Sequence, residues 1–358
     1  MRKKIVGMLT TATLLTMALA GNVQAAEIRS VGPDGEAAVD ASTIELTDDQ
    51  IAQIKEGGYT AAICLHYGGN DWSTSQQKGL EDTFGELGIE IVAVTDANFS
   101  AETQVSNIET VMAKKPDILV SIPTDATATA DAYKQAAAAG IKIVFMDQRA
   151  NGLEAGKDYV SVVSADNYGN GYASGTVLGD ALGGKGKVAM VYYDANFAPT
   201  NQRDEGFRDA MKNYPDIEIV TEQGFTDEFG CAEQGDAILT QFPNIDGIYA
   251  SWDVPMEGVL SAVRAAGMEG KVTLACNDLG NNVAREIASG NIAGGGAQMP
   301  YDQGVAEAKL AALALLGEET PSYVAVPAET VTHENVLEAY TDVYHVETPD
   351  WLKEAYVE

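Results

Sequence analysis

The sequence predicts an α/β protein built from two similar, doubly wound parallel-sheet lobes that are joined by a multi-strand hinge. Short β-branched segments alternate with helical segments along the chain, which is typical of parallel sheets covered by helices on both faces. The pattern repeats after about 130 residues, which indicates two lobes of the same design. The strands are expected to begin near Ala61, Ile89, Asp117, Ile141 and Tyr159 in the first lobe, and near Val188, Ile217, Gly247, Val272 and Ile292 in the second.

The predicted domain boundaries follow the two runs of strands. Thr47 and Gln50 have capping-box spacing at the start of a short helix, which ends at Gly57-Gly58. The polar composition of the segment before this helix, residues 26–45, predicts a mobile leader. The predicted division is 26–58 for the leader and short helix, 59–165 plus 299–325 for the first lobe, 166–298 plus 326–345 for the second lobe, and 346–358 for a C-terminal tail. Several chain crossings between the lobes predict a hinge.

The N-terminus has the three parts of a secretory signal peptide. Residues 1–4 form a positively charged n-region, residues 5–20 form an apolar h-region, and residues 23–25 form an A-x-A-like cleavage site. Cleavage after Ala25 would release the protein into the periplasm or the medium. Asn22 stands where the lipidated cysteine of a lipoprotein signal would be, so no lipid anchor is expected at this site.

The charge of the chain excludes some classes of partner. The sequence has 22 Lys and Arg against 53 Asp and Glu, a formal net charge of −31 at pH 7. Without the three basic residues of the signal peptide the charge is −34. Such a charge repels nucleic acid and anionic membrane surfaces, so neither is expected as a partner. It also favours a soluble monomer.

The motifs of common enzyme sites are incomplete. Three cysteines and three histidines are too few and too scattered for a disulfide framework or a zinc site. Residues 179–185 resemble a phosphate-binding loop, but Gly186 stands where Ser or Thr would hold magnesium. Neither a Gly-x-Ser-x-Gly elbow nor a histidine-centred triad occurs. No metal, cofactor or catalytic residue is therefore predicted, and an enzyme is disfavoured.

Polar and aromatic side chains follow the predicted strands at their carboxyl ends, where parallel sheets bind ligands. Carboxylates and amides form paired hydrogen bonds with two adjacent hydroxyls of a ligand, and arginine adds charge-assisted ones. Aromatic rings pack against the C–H surfaces of the ligand. This combination predicts a neutral polyhydroxyl ligand in a cleft between the lobes. The candidate ligand-binding residues are Asn70, Asp71, Trp72, Asp125, Asp147 and Arg149 in the first lobe, and Asn201, Arg203, Trp252, Asp253, Asp278 and Gln298 in the second.

Several of these residues have an alternative structural role. A helix cap and a ligand contact fit Asp71 and Asp125 equally well. Arg203 fits an ion pair between helices as well as a ligand contact, and Trp252 also fits a core position. Trp72 lies among glycines and polar residues, which favours stacking on a ligand. A structural role is assigned to the two residues at the end of the first strand, His66 and Tyr67.

The order of these motifs resembles the ribose-, galactose- and xylose-type solute-binding proteins of bacterial ABC importers, which have the type I periplasmic binding fold. The segments that carry the resemblance are ICLHYGGNDWSTSQQKGLEDTF, SIPTDATA, IVFMDQRA, SADNYGNG, TNQRDEGFRDAM, ASWDVPMEGVL, CNDLG and GAQMPYDQG, within residues 60 to 330. The resemblance implies ligand contacts at Asn70, Trp72, Asp147, Trp252, Asp253, Asp278 and Gln298.

The chain departs from the ribose pattern in three places. Gln148 separates Asp147 from Arg149, Asn201 replaces an arginine, and Trp252 replaces an asparagine. These departures argue against ribose itself and leave a pentose, hexose or small polyol as the implied class.

Two functions share these features. The first is a secreted solute-binding protein that closes two lobes over a monosaccharide or small polyol and delivers it to a membrane ABC permease. The alternative is a ligand-binding component that presents a sugar-like signal to a chemoreceptor or sensor kinase, because both partners would read the closed state. A sugar-responsive repressor of the same fold would need a helix-turn-helix, whereas this N-terminus carries a signal peptide and an acidic segment.

Overall fold

The computed structural model describes residues 27–357, so the predicted signal peptide of residues 1–25 lies outside the described residues. The strands are β1 (Val39–Asp40), β2 (Thr60–Leu65), β3 (Glu90–Asp96), β4 (Ile118–Ser121), β5 (Lys142–Met146), β6 (Ser161–Ala165), β7 (Lys185–Tyr193), β8 (Asp216–Phe225), β9 (Gly247–Ala250), β10 (Thr273–Cys276), β11 (Gly294–Ala297), β12 (Tyr323–Val326) and β13 (Glu329–Thr332). The α-helices are α1 (Asp48–Gly57), α2 (Asp71–Leu87), α3 (Ala101–Ala113), α4 (Ala130–Ala138), α5 (Asn167–Ala181), α6 (Ala198–Met211), α7 (Ala232–Gln241), α8 (Asp253–Ala265), α9 (Asn281–Ala288), α10 (Pro300–Leu315), α11 (Val336–Tyr344) and α12 (Asp350–Ala355). Within residues 27–357, none of these helices has the length and apolar character needed to cross a membrane.

The strands form two sheets, one in each lobe. The first has the order β1-β12-β6-β5-β4-β2-β3 and the second has the order β13-β11-β10-β9-β7-β8. The segment β3-β2-β4-β5-β6 of the first sheet is matched in the second by β8-β7-β9-β10-β11, and these strands are parallel. Each sheet separates two apolar cores. The two-lobe prediction is therefore confirmed, and all ten predicted strands form within three residues of their expected starts.

The chain passes between the lobes at three places. The crossings lie between β6 and α5, between β11 and α10, and between β12 and β13. Helix α10 packs against α2 in the first lobe, whereas β13 pairs antiparallel with β11 in the second. These crossings place the connections along one side of the molecule, which is the arrangement that a hinge requires.

The prediction of a mobile leader at residues 26–45 is wrong for its described part. Strand β1 pairs in parallel with β12, and the carboxylate of the buried Asp166 accepts hydrogen bonds from the backbone N–H groups of Arg29 and Ser30 at 2.9 and 2.8 Å. Asp34 forms a two-bond ion pair with Arg149, with N–O distances of 2.6 and 2.7 Å. The polar groups of the leader therefore have fixed partners in both lobes, which composition alone does not reveal.

The predicted C-terminal tail, residues 346–358, continues the second lobe in its described part. Leu352 of α12 is fully buried in the apolar core of that lobe. Trp351 packs edge-on against Tyr340, and the guanidinium of Arg285 lies 5.1 Å from its ring centroid. Helix α12 thereby covers α9, whose N-terminus faces the first lobe.

Helices α5 and α6 approach closely enough to position an arginine in the cleft. A Cβ atom at Gly171 would collide with the backbone carbonyl of Arg203, and one at Gly206 would collide with the carbonyl of Tyr168. Glycine at these two positions allows the backbones to touch. This contact fixes α6 against the hinge-side end of α5 and buries the side chain of Arg203.

Candidate ligand-binding site

A cavity of about 50 Å³ lies between the two lobes. Six of the candidate residues line it: Trp72, Asp147, Arg203, Trp252, Asp278 and Gln298. The other lining residues are His66, Tyr67, Phe99, Ile122, Tyr193, Phe197, Pro199 and Thr200. The cavity thus takes side chains from both lobes, at the carboxyl ends of the strands, as the fold predicts.

Arg203 is the central polar residue of this cavity. Its Nε donates to the side-chain oxygen of Asn167 at 2.9 Å. Its Nη1 donates to the carbonyl of Ser251 at 3.2 Å and to Oδ2 of Asp278 at 3.0 Å. Arg203 is 5% exposed, so this ion pair is screened little by solvent. Both roles considered for Arg203, ion pair and cavity lining, therefore occur together.

Asp278 and Gln298 extend this polar set along the second lobe. Nε2 of Gln298 donates to Oδ1 of Asp278 at 2.8 Å. Asp278 has a left-handed backbone conformation with φ +68°, and its N–H donates to the carbonyl of Gly296 at 2.8 Å. Oε1 of Gln298 is buried and has no hydrogen-bond partner among the described residues. Buried polar atoms usually have a partner, so a ligand hydroxyl is a natural donor to this oxygen.

Asp147 brings a second carboxylate to the cavity from the first lobe. Its Oδ1 accepts a hydrogen bond from the hydroxyl of Ser164 at 2.9 Å. Burial raises the pKa of Asp147 above its usual range, and the charge of Arg203 and the bond from Ser164 oppose that shift. The cavity thus brings together two carboxyl groups and one guanidinium. This set disfavours an anionic ligand.

Aromatic rings form a wall that continues from one lobe to the other. The ring of His66 is stacked on that of Phe197 across the cleft, with a centroid distance of 5.7 Å and an interplanar angle of 16°. Tyr67 stacks on Trp72 in the first lobe at 6.5 Å, and Tyr193 meets Trp252 edge-on in the second at 5.5 Å. Burial lowers the pKa of His66 to about 3, so this ring is neutral near pH 7.

The two tryptophans that line the cavity differ in their hydrogen bonding and in their packing. The indole Nε1 of Trp252 donates to Oε2 of Glu228 at 2.9 Å, and Trp252 is part of an apolar core of the second lobe. The core position considered for Trp252 therefore holds together with its place in the cavity wall. Trp72 is 9% exposed, lies in neither apolar core of the first lobe, and its buried Nε1 has no partner among the described residues. A ligand oxygen would satisfy this donor.

Four candidate residues of the first lobe do not line the cavity and have protein partners. Asn70 caps α2 through the N–H of Ser73 at 2.9 Å and donates to the hydroxyl of Tyr67 at 2.6 Å. Asp125 accepts from the N–H groups of Thr127 and Ala128, which is the cap considered for it. Arg149 pairs with Asp34 of the leader, and Asp71 binds the second lobe.

Two second-lobe candidates also lie outside the cavity lining. Asn201 is exposed on α6, two residues before Arg203. Oδ2 of Asp253 accepts from the N–H of Gly280 at 3.0 Å, and its Oδ1 accepts from the N–H of Val254 at 2.8 Å. Burial raises the pKa of Asp253 well above its usual range, and the neighbouring Asp278 adds to the shift. Asp253 thus orders the loop that presents Asp278.

Several lining residues were missed by the sequence argument. His66 and Tyr67 were assigned a structural role, yet both line the cavity. Phe99 and Ile122 follow β3 and β4, and Phe197 and Thr200 follow β7. Their position directly after parallel strands was the available signal, but apolar residues there are also expected in the core.

Direct hydrogen bonds hold the lobes together beside the cavity. The carboxylate of Asp71 accepts from the backbone N–H and the side-chain amide of Asn281, both at 2.8 Å. The hydroxyl of Tyr340 donates to the oxygen of the same amide at 2.5 Å. On the other side, Oε1 of Gln148 accepts from the N–H of Ala198 at 3.2 Å. These contacts belong to the closed arrangement, because Asp71 and Gln148 lie in one lobe and their partners in the other.

Replacing Asp71 by alanine is expected to favour the open arrangement. The substitution removes two charge-assisted hydrogen bonds between the lobes. Because they are partly exposed to solvent, their loss should cost about 1–2 kcal/mol in total. Small-angle scattering of the ligand-free protein should then give a larger radius of gyration for Asp71→Ala than for the unmodified chain. Asp125→Ala is the matched control, because the carboxylate of Asp125 also accepts two hydrogen bonds, but both come from backbone N–H groups of its own lobe. Equal radii of gyration for all three proteins would contradict the expectation that the hydrogen bonds of Asp71 stabilise the closed arrangement.

The chain matches a known family over most of its length. Residues 61–319 match the sequence profile described as a periplasmic binding protein domain. The D-ribose/D-allose-binding protein of Pseudomonas aeruginosa is 29% identical over 273 residues, which cover 73% of this chain and 83% of that protein. The D-allose-binding periplasmic protein of Escherichia coli is 26% identical over 255 residues, which cover 70% of this chain and 82% of that protein.

Solved structures give the same result. A periplasmic solute-binding protein from Actinobacillus succinogenes with bound D-allose has a TM-score of 0.72 and 29% identity, and the match covers 78% of this chain and 99% of that one. A solute-binding protein from Agrobacterium vitis bound with α-D-tagatopyranose has a TM-score of 0.73 and 26% identity, and the match covers 80% and 98%. The profile, the relatives and the fold agree, and the chain belongs to the periplasmic binding protein domain family.

Proposed function

We propose that the mature protein binds one monosaccharide or small polyol between its lobes and delivers it to an ABC permease in the membrane. The observation that carries this proposal is the interlobe cavity, in which Asp147 of one lobe faces Arg203 and Asp278 of the other. A ligand that bonds to both lobes stabilises the closed state by the contacts that the open state lacks. Relatives named for D-ribose, D-allose and D-xylose support a sugar as the ligand.

The proposal includes the location and state of the protein. Cleavage after Ala25 would leave the mature chain in the periplasm, in keeping with the signal-like N-terminus and the family. The formal charge of −34 that remains after this cleavage favours a soluble monomer.

The proposed ligand is released chemically unchanged. Thr200 is the one aliphatic hydroxyl residue in the described lining, and its Oγ1 donates to the carbonyl of Phe197 at 3.1 Å. The neutral His66 has aromatic neighbours and lacks a carboxylate hydrogen bond among the described residues. A nucleophile with an adjacent base, which covalent catalysis needs, is therefore not assembled in this lining.

A thermal-shift screen tests the proposed ligand class. Mature protein mixed with single pentoses, hexoses and polyols should unfold at a higher temperature with at least one of them. At a ligand concentration of a hundred times Kd, the stabilisation is about 2.7 kcal/mol. Amino acids and nucleosides serve as the comparison set. A shift with the comparison set and none with any sugar or polyol would contradict the proposal.

A further inference from the structure

The first lobe offers few polar groups to the cavity. Its four other polar candidates have the protein partners described above: Asn70, Asp71, Asp125 and Arg149. Among the described lining residues of this lobe, Asp147 alone is charged. The hydroxyl oxygen of Tyr67 accepts from Nδ2 of Asn70, which leaves its O–H as a donor. The first lobe therefore lacks the paired carboxylate, amide and guanidinium groups that would bind a row of hydroxyls.

An aromatic corner takes up much of the remaining wall. We define it by Tyr67, Phe99, Ile122 and Phe197. The rings of Tyr67 and Phe99 are stacked with a centroid distance of 4.2 Å and an angle of 20°. Phe197 closes the corner from the second lobe by stacking on the neutral His66. A hydroxyl placed against Phe99, Ile122 and Phe197 would give up its water without a fixed partner, because Tyr67 alone in this corner carries a polar group.

The polar groups are concentrated on the other side. Arg203, Asp278 and Gln298 form one hydrogen-bonded chain in the second lobe, and the charge of Arg203 acts on Asp147 across the cleft. The first lobe adds two buried polar atoms without a partner among the described residues, the indole N–H of Trp72 and Nδ1 of His66. The cavity is thus suited to a ligand with hydroxyls along one edge and a purely apolar group on the other.

We infer that the ligand is a deoxyhexose, whose ring hydroxyls bond to the polar chain and whose methyl group lies in the aromatic corner. This inference rests on the proposed function, since it specifies the sugar. A methyl group gains from leaving water, whereas a hydroxymethyl group at the same place loses a hydrogen bond to water. An added hydroxyl is rejected by an apolar pocket by factors between about ten and a few hundred.

Isothermal titration with sugars that differ in a single oxygen tests the inference. The pairs are L-fucose with L-galactose, L-rhamnose with L-mannose, D-fucose with D-galactose, and D-quinovose with D-glucose. In each pair the first sugar carries a methyl group where the second carries a hydroxymethyl group. We expect at least one deoxyhexose to bind at least about tenfold more tightly than its partner and than any sugar in the thermal-shift panel.

A variant that adds a polar group to the corner should reverse the preference. Phe99 has a left-handed backbone conformation, φ +58°, which asparagine tolerates well, and its side chain is 42% exposed. Phe99→Asn is therefore expected to fold and to reduce the ratio of the two affinities in the best pair at least threefold. Phe229→Asn is the matched control, because Phe229 is an exposed aromatic residue outside the cavity lining and should leave the ratio unchanged.

The outcomes separate the two proposals. A fully hydroxylated sugar that binds as tightly as, or more tightly than, every deoxyhexose would overturn the inference and leave the proposed function standing. A ratio that Phe99→Asn and Phe229→Asn leave equally unchanged would also overturn it, because the corner would then not contact the methyl group. Failure of all sugars and polyols to bind would overturn the proposed function and the inference with it.

Discussion

Replacing Arg203 by methionine is expected to weaken ligand binding at least about a hundredfold and to destabilise the ligand-free protein. The substitution keeps an unbranched side chain that can pack in the cavity but removes the bonds to Asn167, Ser251 and Asp278. The carboxylates of Asp147 and Asp278 would then share a buried cavity without a cation. Breaking a buried ion pair by removing one partner costs about 3–5 kcal/mol. Because 1.4 kcal/mol is a factor of ten, a loss of that size in binding would weaken it at least about a hundredfold.

The pH dependence of this variant provides an internal check. The pKa of Asp147 is already raised by burial, and Arg203 opposes the shift, so its removal should raise that pKa further. A carboxyl group whose pKa is higher in the folded than in the unfolded state destabilises the protein as pH rises through the folded pKa. The stability deficit of Arg203→Met should therefore shrink as pH falls from 7 towards 5. Chemical unfolding at both pH values measures this change.

Two variants complete the test of Arg203. Arg203→Lys keeps the charge but lacks the guanidinium fork, so it should recover stability more fully than affinity. Arg208→Met serves as the control, because Arg208 lies on the same helix and forms a partly exposed ion pair with Glu222. Affinity and stability losses of equal size for Arg203→Met and Arg208→Met would contradict a central role of Arg203 in the cavity.

The fold could be predicted because its signals are periodic. Runs such as Ile118–Ser121 and Gly247–Ala250 are buried on both faces, which favours nearly continuous apolar residues and makes strands easy to recognise. The repeat of these runs then fixes two lobes. The leader gave no such signal. Its sequence is the same whether the backbone N–H groups of Arg29 and Ser30 bind water or the buried Asp166, so composition does not show which partner they have.

The sequence predicts which residues follow a strand and so lie near the cleft, but it does not predict which of them face the cavity. A residue at a carboxyl end lies near the cleft, but its partner is set by the tertiary structure. Arg149 illustrates this, because its partner Asp34 is 115 residues away and belongs to the leader. Asn201 and Arg203 illustrate the second limit. Residues two apart on a helix differ by about 200° in direction, so only one of them faces the cavity.

Replacing Trp72 by alanine is expected to weaken ligand binding about a hundredfold while the fold is kept. The ring lines the cavity next to His66 and Tyr67, and its Nε1 is a buried donor without a partner among the described residues. A ligand would therefore lose an aromatic contact and a hydrogen bond, which together are worth about 2–3 kcal/mol. Because Trp72 lies outside both apolar cores of the first lobe, the stability of the ligand-free protein should change little.

Trp252→Ala is the comparison variant for Trp72→Ala, because it separates an effect on ligand binding from an effect on stability. Trp252 lines the same cavity but belongs to the core of the second lobe, so its truncation should also lower the free energy of unfolding by about 3–5 kcal/mol. Trp72→Phe keeps an aromatic face without the N–H donor and should fall between Trp72→Ala and the unmodified chain in affinity. Ligand binding should change the fluorescence of Trp72 and Trp252 above a constant background from Trp351, which packs on Tyr340 away from the cavity. Unfolding of Trp72→Ala in the absence of ligand would show instead that this ring is structural, because a residue that only covers the ligand has no role in the empty protein.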